Sequence, residues 1–262
     1  MWNLGDLVCG VACVTFFVRR MKLQRFDPES LRPGRLALFV ARRGSGKTVL
    51  MRELMMHSKD SFDLVIAMTP TEDSAAFFRK HLPPNCVYDS GFVPSVVEKA
   101  LAFQRQSTKM GKRLRSVLLV LDDCTYDPKI FKSTAMRDLA MNGRHQSISL
   151  WTSCQYLVDL PPAIRGQIDY VFAFHEPVLD NRKKLHKMFF GVLDYPRFCA
   201  TMDVATDEWG CLVLDNTIAR SDPSECLFWF CATVDLPKFT MCKPVFWKLK
   251  HEEKPQVKLV LE

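Results

Sequence analysis

The sequence predicts an α/β fold, a mostly parallel sheet with helices on both faces. Three observations carry this reading. Short, continuously apolar runs recur at Leu36–Val40, 63–69, Val117–Leu121, 148–152 and 170–174. Strands that are apolar on both faces belong to parallel sheets covered on both sides. Helix-like segments alternate with these runs, as they do in α/β domains. The first run leads through Ala41-Arg42-Arg43-Gly44-Ser45-Gly46-Lys47-Thr48 directly into a helical pattern, a strand, turn and helix in immediate succession.

Length and composition fit that class. The chain has 262 residues, 48% of them hydrophobic and 25% charged. That is enough for one large domain with a packed core, and the charge content is that of a soluble globular protein. Ten cysteines occur without a C-x-x-C pair, so a zinc ribbon or a thioredoxin-type site is unsupported. Several lie inside apolar runs, as buried free thiols do in a reducing compartment. The net charge of +7 permits a polyanionic partner without demonstrating one.

Taken in order, residues 1–24 read as a hydrophobic and basic N-terminal extension. Residues 7–18 are uncharged and mostly apolar, and Arg19, Arg20 and Lys22 follow. The run is short for a bilayer span and lacks a basic leader. A packing helix, a membrane-associating segment and an extension ahead of a start at Met21 all stay open. Residues 25–236 are expected to form the main domain. Its first strand is Leu36–Val40, and its first helix, 46–57, puts Leu50, Met51, Leu54 and Met55 on one face. The buried strand at 63–69 stops at Pro70. Thr71 then caps a helix that carries Glu72 and Asp73 in its first turn.

A short strand at 86–88 follows the Pro83-Pro84 break, and a helix occupies 94–104. Residues 103–115 hold Arg105, Lys109, Lys112, Arg113 and Arg115 with no acid and read as a basic loop. The aliphatic strand Val117–Leu121 precedes a helix at 128–141, closed by Asn142-Gly143. Strands at 148–152 and 170–174 come next, then a helix at 180–190 with a basic face of Arg182, Lys183, Lys184 and Lys187. Residues 211–214 and 226–231 read as late strands, and 237–262 as a basic, peripheral C-terminal tail.

The turn at 41–48 has the composition of a phosphate-binding loop. Small residues at Gly44, Ser45 and Gly46 let backbone N–H groups close around a phosphate. The helix N-terminus that follows adds partial positive charge. Lys47 can reach the β- and γ-phosphates of a nucleotide, and Thr48 can ligand Mg²⁺. The loop departs from the usual pattern in having Ala41 for the first glycine and the pair Arg42-Arg43 inside it.

Val117-Leu118-Leu119-Val120-Leu121-Asp122-Asp123 is a Walker B pattern. A buried strand delivers two carboxylates to its C-terminal edge, where ligands bind in open α/β sheets. Asp122 is expected to hold Mg²⁺, directly or through water. Asp123 is expected to orient or deprotonate the attacking water; it is one methylene shorter than the glutamate often found there. Gln155 ends the next strand, where an amide can bridge the γ-phosphate and the attacking water. Arg144 in Asn142-Gly143-Arg144-His145 and Arg165 in Pro161-Pro162-Ala163-Ile164-Arg165-Gly166 are candidate arginine fingers acting on a neighbouring subunit. Either can equally be a surface arginine. His145, His175 and His186 read as structural, and Phe172, Phe174, Phe189 and Phe190 as core.

Four blocks together carry a resemblance: 39–48, then Ala67-Met68-Thr69-Pro70, then Leu118 through Asp123, then Asn142-Gly143-Arg144-His145 with its strand, Cys154-Gln155 and Arg165. In their order and spacing the chain resembles the poxvirus-type genome-packaging ATPases of large nucleocytoplasmic DNA viruses, within the FtsK/HerA superfamily. The likeness covers roughly residues 35–235. It implies a RecA-like P-loop ATPase that hydrolyses ATP with Mg²⁺, assembled as a homo-oligomeric ring whose active site is completed by the adjacent subunit. It implies double-stranded DNA moved into a capsid, capsid or portal-like viral proteins as partners, and action in the virion or the host cytoplasm at the assembly site.

Two other classes are weighed against this. A GTPase, small-molecule kinase or helicase-like P-loop enzyme is one. No Asn-Lys-x-Asp guanine motif occurs in the sequence, and no Arg-rich lid is evident. A non-catalytic nucleotide-binding assembly factor is the other, and intact Lys47, Thr48, Asp122 and Asp123 argue against it. For the DNA contact, 103–115 is the best basic stretch, although a solvated linker explains it as well.

Overall fold

The computed structural model describes residues 16–18, 21–124, 129–155, 160–218 and 222–248. The strands are β1 (Phe16–Val18), β2 (Met21–Arg25), β3 (Leu36–Val40), β4 (Leu64–Met68), β5 (Val87–Tyr88), β6 (Val117–Leu121), β7 (Ile148–Cys154), β8 (Tyr170–Ala173), β9 (Cys211–Asp215) and β10 (Leu227–Phe230). They form one sheet in the order β1-β2-β10-β9-β8-β3-β7-β6-β4-β5. From β8 to β5 every pairing is parallel. β9 runs antiparallel to both β8 and β10. The predicted fold class is therefore the observed one, and the strand that ends near Gln155 lies between the Gly-Lys-Thr strand and the Asp-Asp strand.

Burial on both faces follows from alternation along each strand. Leu36, Leu38 and Val40 of β3 enter one core cluster. Ala37 and Phe39 of the same strand enter the other, where Phe39 stacks on Phe172 at 4.8 Å between ring centres. Helices α1 (Lys47–His57) and α2 (Glu72–Arg79) cover the Phe39 face. Helices α3 (Pro94–Lys109), α4 (Thr134–Asn142), α6 (Leu179–Phe189) and α7 (Tyr195–Ala205) cover the other. Short helices α5 (Pro162–Arg165), α8 (Pro223–Cys226) and α9 (Pro244–Trp247) complete the set among the described residues. The buried cysteines are free, as expected.

Several expectations change. α3 runs on to Lys109, so the first half of the basic stretch is helix and not loop. Within it Arg105 pairs with Asp138, and Arg115 lies over the rings of Phe103 and Phe246, leaving Lys109, Lys112 and Arg113 exposed. Arg182 leaves the basic face of α6: it is buried and pairs with Asp203 at 2.5 Å. α7 was not expected, because Tyr195 and Pro196 open it in a segment without a long apolar stripe.

Gly143 does not close α4 in a left-handed conformation; its φ is −54°. A Cβ there would sit 3.1 Å from the Ile148 carbonyl, so the glycine serves close packing. The left-handed residue is Ser147, with φ 53°.

The outer boundaries also move. β2 reaches into the supposed N-terminal extension and pairs with β10. Most of the apolar run at 7–18 lies outside the described residues. No helix among the described residues is long and apolar enough to cross a membrane. Residues 239–247, expected in a peripheral tail, pack onto the domain. Phe239, Met241 and Phe246 are buried, and Lys243 forms an ion pair with buried Asp63. The remainder of that tail, from 249, lies outside the described residues.

Candidate functional site

β3, β6 and β7 run parallel and end at the same sheet edge. That geometry brings together three segments far apart in sequence. After β3 the chain turns through Gly44 and Gly46, whose φ values of 75° and 89° are left-handed and favour glycine. Gly46 forms the N-cap of α1, and Lys47 is its first residue. Ala41 continues the β3 ladder, donating its N–H to the Cys154 carbonyl at 3.0 Å, and its methyl is buried in the core. A first glycine is not needed at that position.

Lys47 is buried and its ammonium faces both carboxylates of the β6 end. It lies 3.0 Å from Asp122 Oδ1 and also pairs with Asp123 Oδ1. Ser153, on β7, ties the group together. Its hydroxyl accepts from the Asp123 N–H at 2.8 Å and from Lys47 Nζ at 3.2 Å, and donates to Asp122 Oδ1 at 2.9 Å. Gln155 Nε2 donates to Asp123 Oδ2 at 3.2 Å. Asp123 has φ 52°, a left-handed backbone that aspartate tolerates and that turns the chain out of the strand.

Asp122 is 1% exposed, and its Oδ2 is a buried oxygen without a protein hydrogen-bond partner. A buried carboxylate oxygen left free is costly unless something binds it, and an anionic oxygen suits a hard cation. No cluster of three or more acidic, histidine or cysteine ligands occurs among the described residues. Mg²⁺ does not require one, since it is commonly held by one or two protein oxygens with water and phosphate. The residues present therefore fit that ion.

Asp123 opens onto a cleft of about 860 Å³ lined by the 42–49 turn, Pro70, Thr71, Asp73, Ser74, Gln155, Trp209, Ala232 and Val234. Two thiols lie just beneath the site. Burial pushes both Cys124 and Cys154 up to about 12, so neither is a nucleophile at neutral pH.

Of the residues expected from sequence, the turn 44–48, Asp123 and Gln155 converge on this cleft, and Asp122 lies buried behind it. Arg144 and Arg165 do not. Arg144 precedes β7 beside Gly34, and Arg165 precedes β8. Both therefore sit at the N-terminal edge of the sheet, opposite the cleft. Sequence reasoning misses Ser153, although a serine on β7, two residues before Gln155, shares that side chain's face. Trp209, in a turn before β9, carried no periodic signal.

A family model described as poxvirus A32 protein matches residues 23–188. The chain belongs to this family. Among its relatives is uncharacterized protein 075L of invertebrate iridescent virus 6, 31% identical over 185 residues, which are 70% of this chain and 71% of that protein. Another is uncharacterized protein 015R of frog virus 3, 27% identical over 198 residues. That match covers 75% of this chain but 61% of the relative's length. Among solved structures, the genome packaging NTPase B204 of Sulfolobus turreted icosahedral virus 2, in complex with ATPγS, superposes with a TM-score of 0.58 at 17% identity. The match covers 78% of this chain and all of B204. This A32-family chain thus shares the fold of B204.

Proposed function

We propose that the chain is an ATP-hydrolysing motor that moves double-stranded viral DNA into the capsid. The observation that carries this is the meeting of Lys47, Asp123 and Gln155 at one cleft, with Asp122 buried behind them against Lys47, on a fold shared with a packaging NTPase. The turn 44–48 binds the nucleotide phosphates through its N–H groups and the α1 N-terminus. Lys47 balances their charge. Asp122 and Thr48 hold Mg²⁺, which when bound neutralises phosphate charge. Asp123 is the base or orienting group for the attacking water. Gln155, hydrogen-bonded to Asp123, positions that water and reports the state of the γ-phosphate to β7.

Arg144 and Arg165 lie a strand's length from the cleft of their own chain, so a catalytic role for either is a role on a neighbouring copy. A homo-oligomeric ring with shared sites is the assembly in which such a role operates. Capsid or portal-like proteins are the partners expected of such a motor, and the assembly site in the host cytoplasm or the virion its place of action. The exposed cations Lys109, Lys112 and Arg113 are candidate phosphate contacts for DNA.

The test is ATP hydrolysis with and without duplex DNA. DNA is expected to raise the rate, and rising salt to remove the stimulation steeply. Lys47→Ala should be inactive, and mixing it with Arg144→Ala or Arg165→Ala should restore activity for whichever arginine acts between subunits. Hydrolysis indifferent to DNA, or undiminished in Lys47→Ala, would sink the proposal.

A further inference from the structure

We propose that the exposed indole of Trp209 is the platform on which the purine ring of the bound nucleotide stacks, so that this side chain fixes the affinity for the base while the 44–48 turn fixes that for the phosphates. The inference rests on the ATPase reading above and assigns the other half of its substrate. Trp209 is 71% exposed, an unfavourable place for so large an apolar ring. It is nevertheless not loosely placed. Glu208 and Trp209 have φ values of 45° and 68°, consecutive left-handed residues that L side chains adopt rarely. Gly210 follows, and a Cβ on it would lie 2.4 Å from the Ala205 carbonyl, so the chain can pass there only as glycine.

The turn is held from two sides. The Gly210 N–H donates to the Asp207 carbonyl at 2.9 Å, and Cys231 Sγ donates to the Glu208 carbonyl at 3.4 Å. Backbone geometry, not packing of the ring, therefore presents the indole. Strain of this kind persists where the surroundings enforce it, and it concentrates at ligand sites.

What the ring faces decides the ligand. The indole Cε3 comes within 3.9 Å of where a Cβ on Gly46 would stand, so it flanks the phosphate turn itself. The cleft wall on that side continues through Val49, Ala232 and Val234, an apolar strip beside an otherwise polar site. Of the parts of a nucleoside triphosphate, the phosphates are charged and the ribose is a polar, puckered ring; only the base offers two flat apolar faces. Stacking on an aromatic ring is the ordinary way to hold it.

The experiment measures binding of ATPγS and of inorganic tripolyphosphate to the full chain by calorimetry. Wild type is compared with Trp209→Ala, Trp209→Phe and Lys47→Ala. Trp209→Ala should bind ATPγS about tenfold or more weakly and tripolyphosphate as wild type does, while Trp209→Phe should keep most of the affinity. ATPγS should quench tryptophan fluorescence in wild type, and Trp209→Ala should lose that quench. Unchanged ATPγS affinity in Trp209→Ala would overturn the proposal. So would equal weakening of both ligands, the result of a merely structural role, or a changed oligomeric size in sedimentation with ATPγS affinity intact, the result of a subunit contact. If wild type binds neither ligand, or Lys47→Ala leaves both unaffected, the phosphate-site reading falls and takes the stacking with it. With Lys47 required and Trp209 dispensable, only the stacking falls.

Discussion

Replacing Lys47 by alanine should destabilise the folded protein itself, apart from any effect on catalysis. The Lys47 ammonium is buried 3.0 Å from Asp122 Oδ1 and also pairs with Asp123. At that separation two unit charges attract by about 5 kcal/mol at an effective dielectric near 20. Some of this only offsets the cost of burying Lys47. The alanine variant, however, strands the Asp122 charge at 1% exposure beside a second carboxylate. Removing one member of a buried pair typically costs about 3–5 kcal/mol, which in a domain of this size lowers Tm by roughly 6–12 °C. Urea unfolding at neutral pH, followed by circular dichroism without divalent ions or nucleotide, measures it. The double variant Lys47→Ala/Asp122→Asn should recover at least about 2 kcal/mol, because the stranded charge is gone. A Lys47→Ala protein within about 1 kcal/mol of wild type would refute the reasoning, since the ion pair would then carry no net weight.

Three further outcomes are expected. Ser153→Ala removes the hydroxyl shared by Lys47, Asp122 and the Asp123 N–H. A loss of about 2 kcal/mol in positioning corresponds to roughly a thirtyfold fall in kcat, read by steady-state ATP hydrolysis with thermal unfolding as the control. At Asp63, burial pushes the carboxyl up, but the Lys243 ammonium and the Ser116 N–H outweigh it and hold the group below its ordinary value. Its folded value is therefore lower than its unfolded one, so the stabilisation is present at neutral pH and is lost as pH falls through the folded value. Lys243→Ala should shift acid unfolding to higher pH; an unmoved midpoint would mean residues 239–247 are not anchored by that pair. Cys124 and Cys154, both pushed up to about 12 by burial, should resist Ellman's reagent at pH 8 until the protein is denatured.

Much of the fold was legible because its signals are local. Aliphatic runs such as Val117–Leu121 bury both faces of a strand and read the same in sequence as in space. Elements whose identity depends on partners were misread. α3 continues into the basic stretch because Gln104 and Arg105 find partners across the fold, in the Gln146 carbonyl and Asp138. Arg182 lies on a helix rich in cations, yet Asp203 on α7 draws it inward. Residues 239–247 look like a charged tail but carry Phe239, Met241 and Phe246 at spacings that suit a wrap over the sheet edge and not one helix face.

The α/β class and the residues of the phosphate turn were readable along the chain alone. So were the two carboxylates and the glutamine, because each chemistry demands particular residues beside a strand end. How they combine is set by the packing of the sheet. Parallel register of β3, β7 and β6 brings Lys47, Ser153 and Asp122 within hydrogen-bonding distance across more than a hundred residues of chain. The same register sends Arg144 and Arg165 to the far edge. Packing also decides that Trp209, held in a strained turn before β9, flanks the phosphate loop, since contacts between distant segments are fixed by packing and leave no periodic trace along the chain.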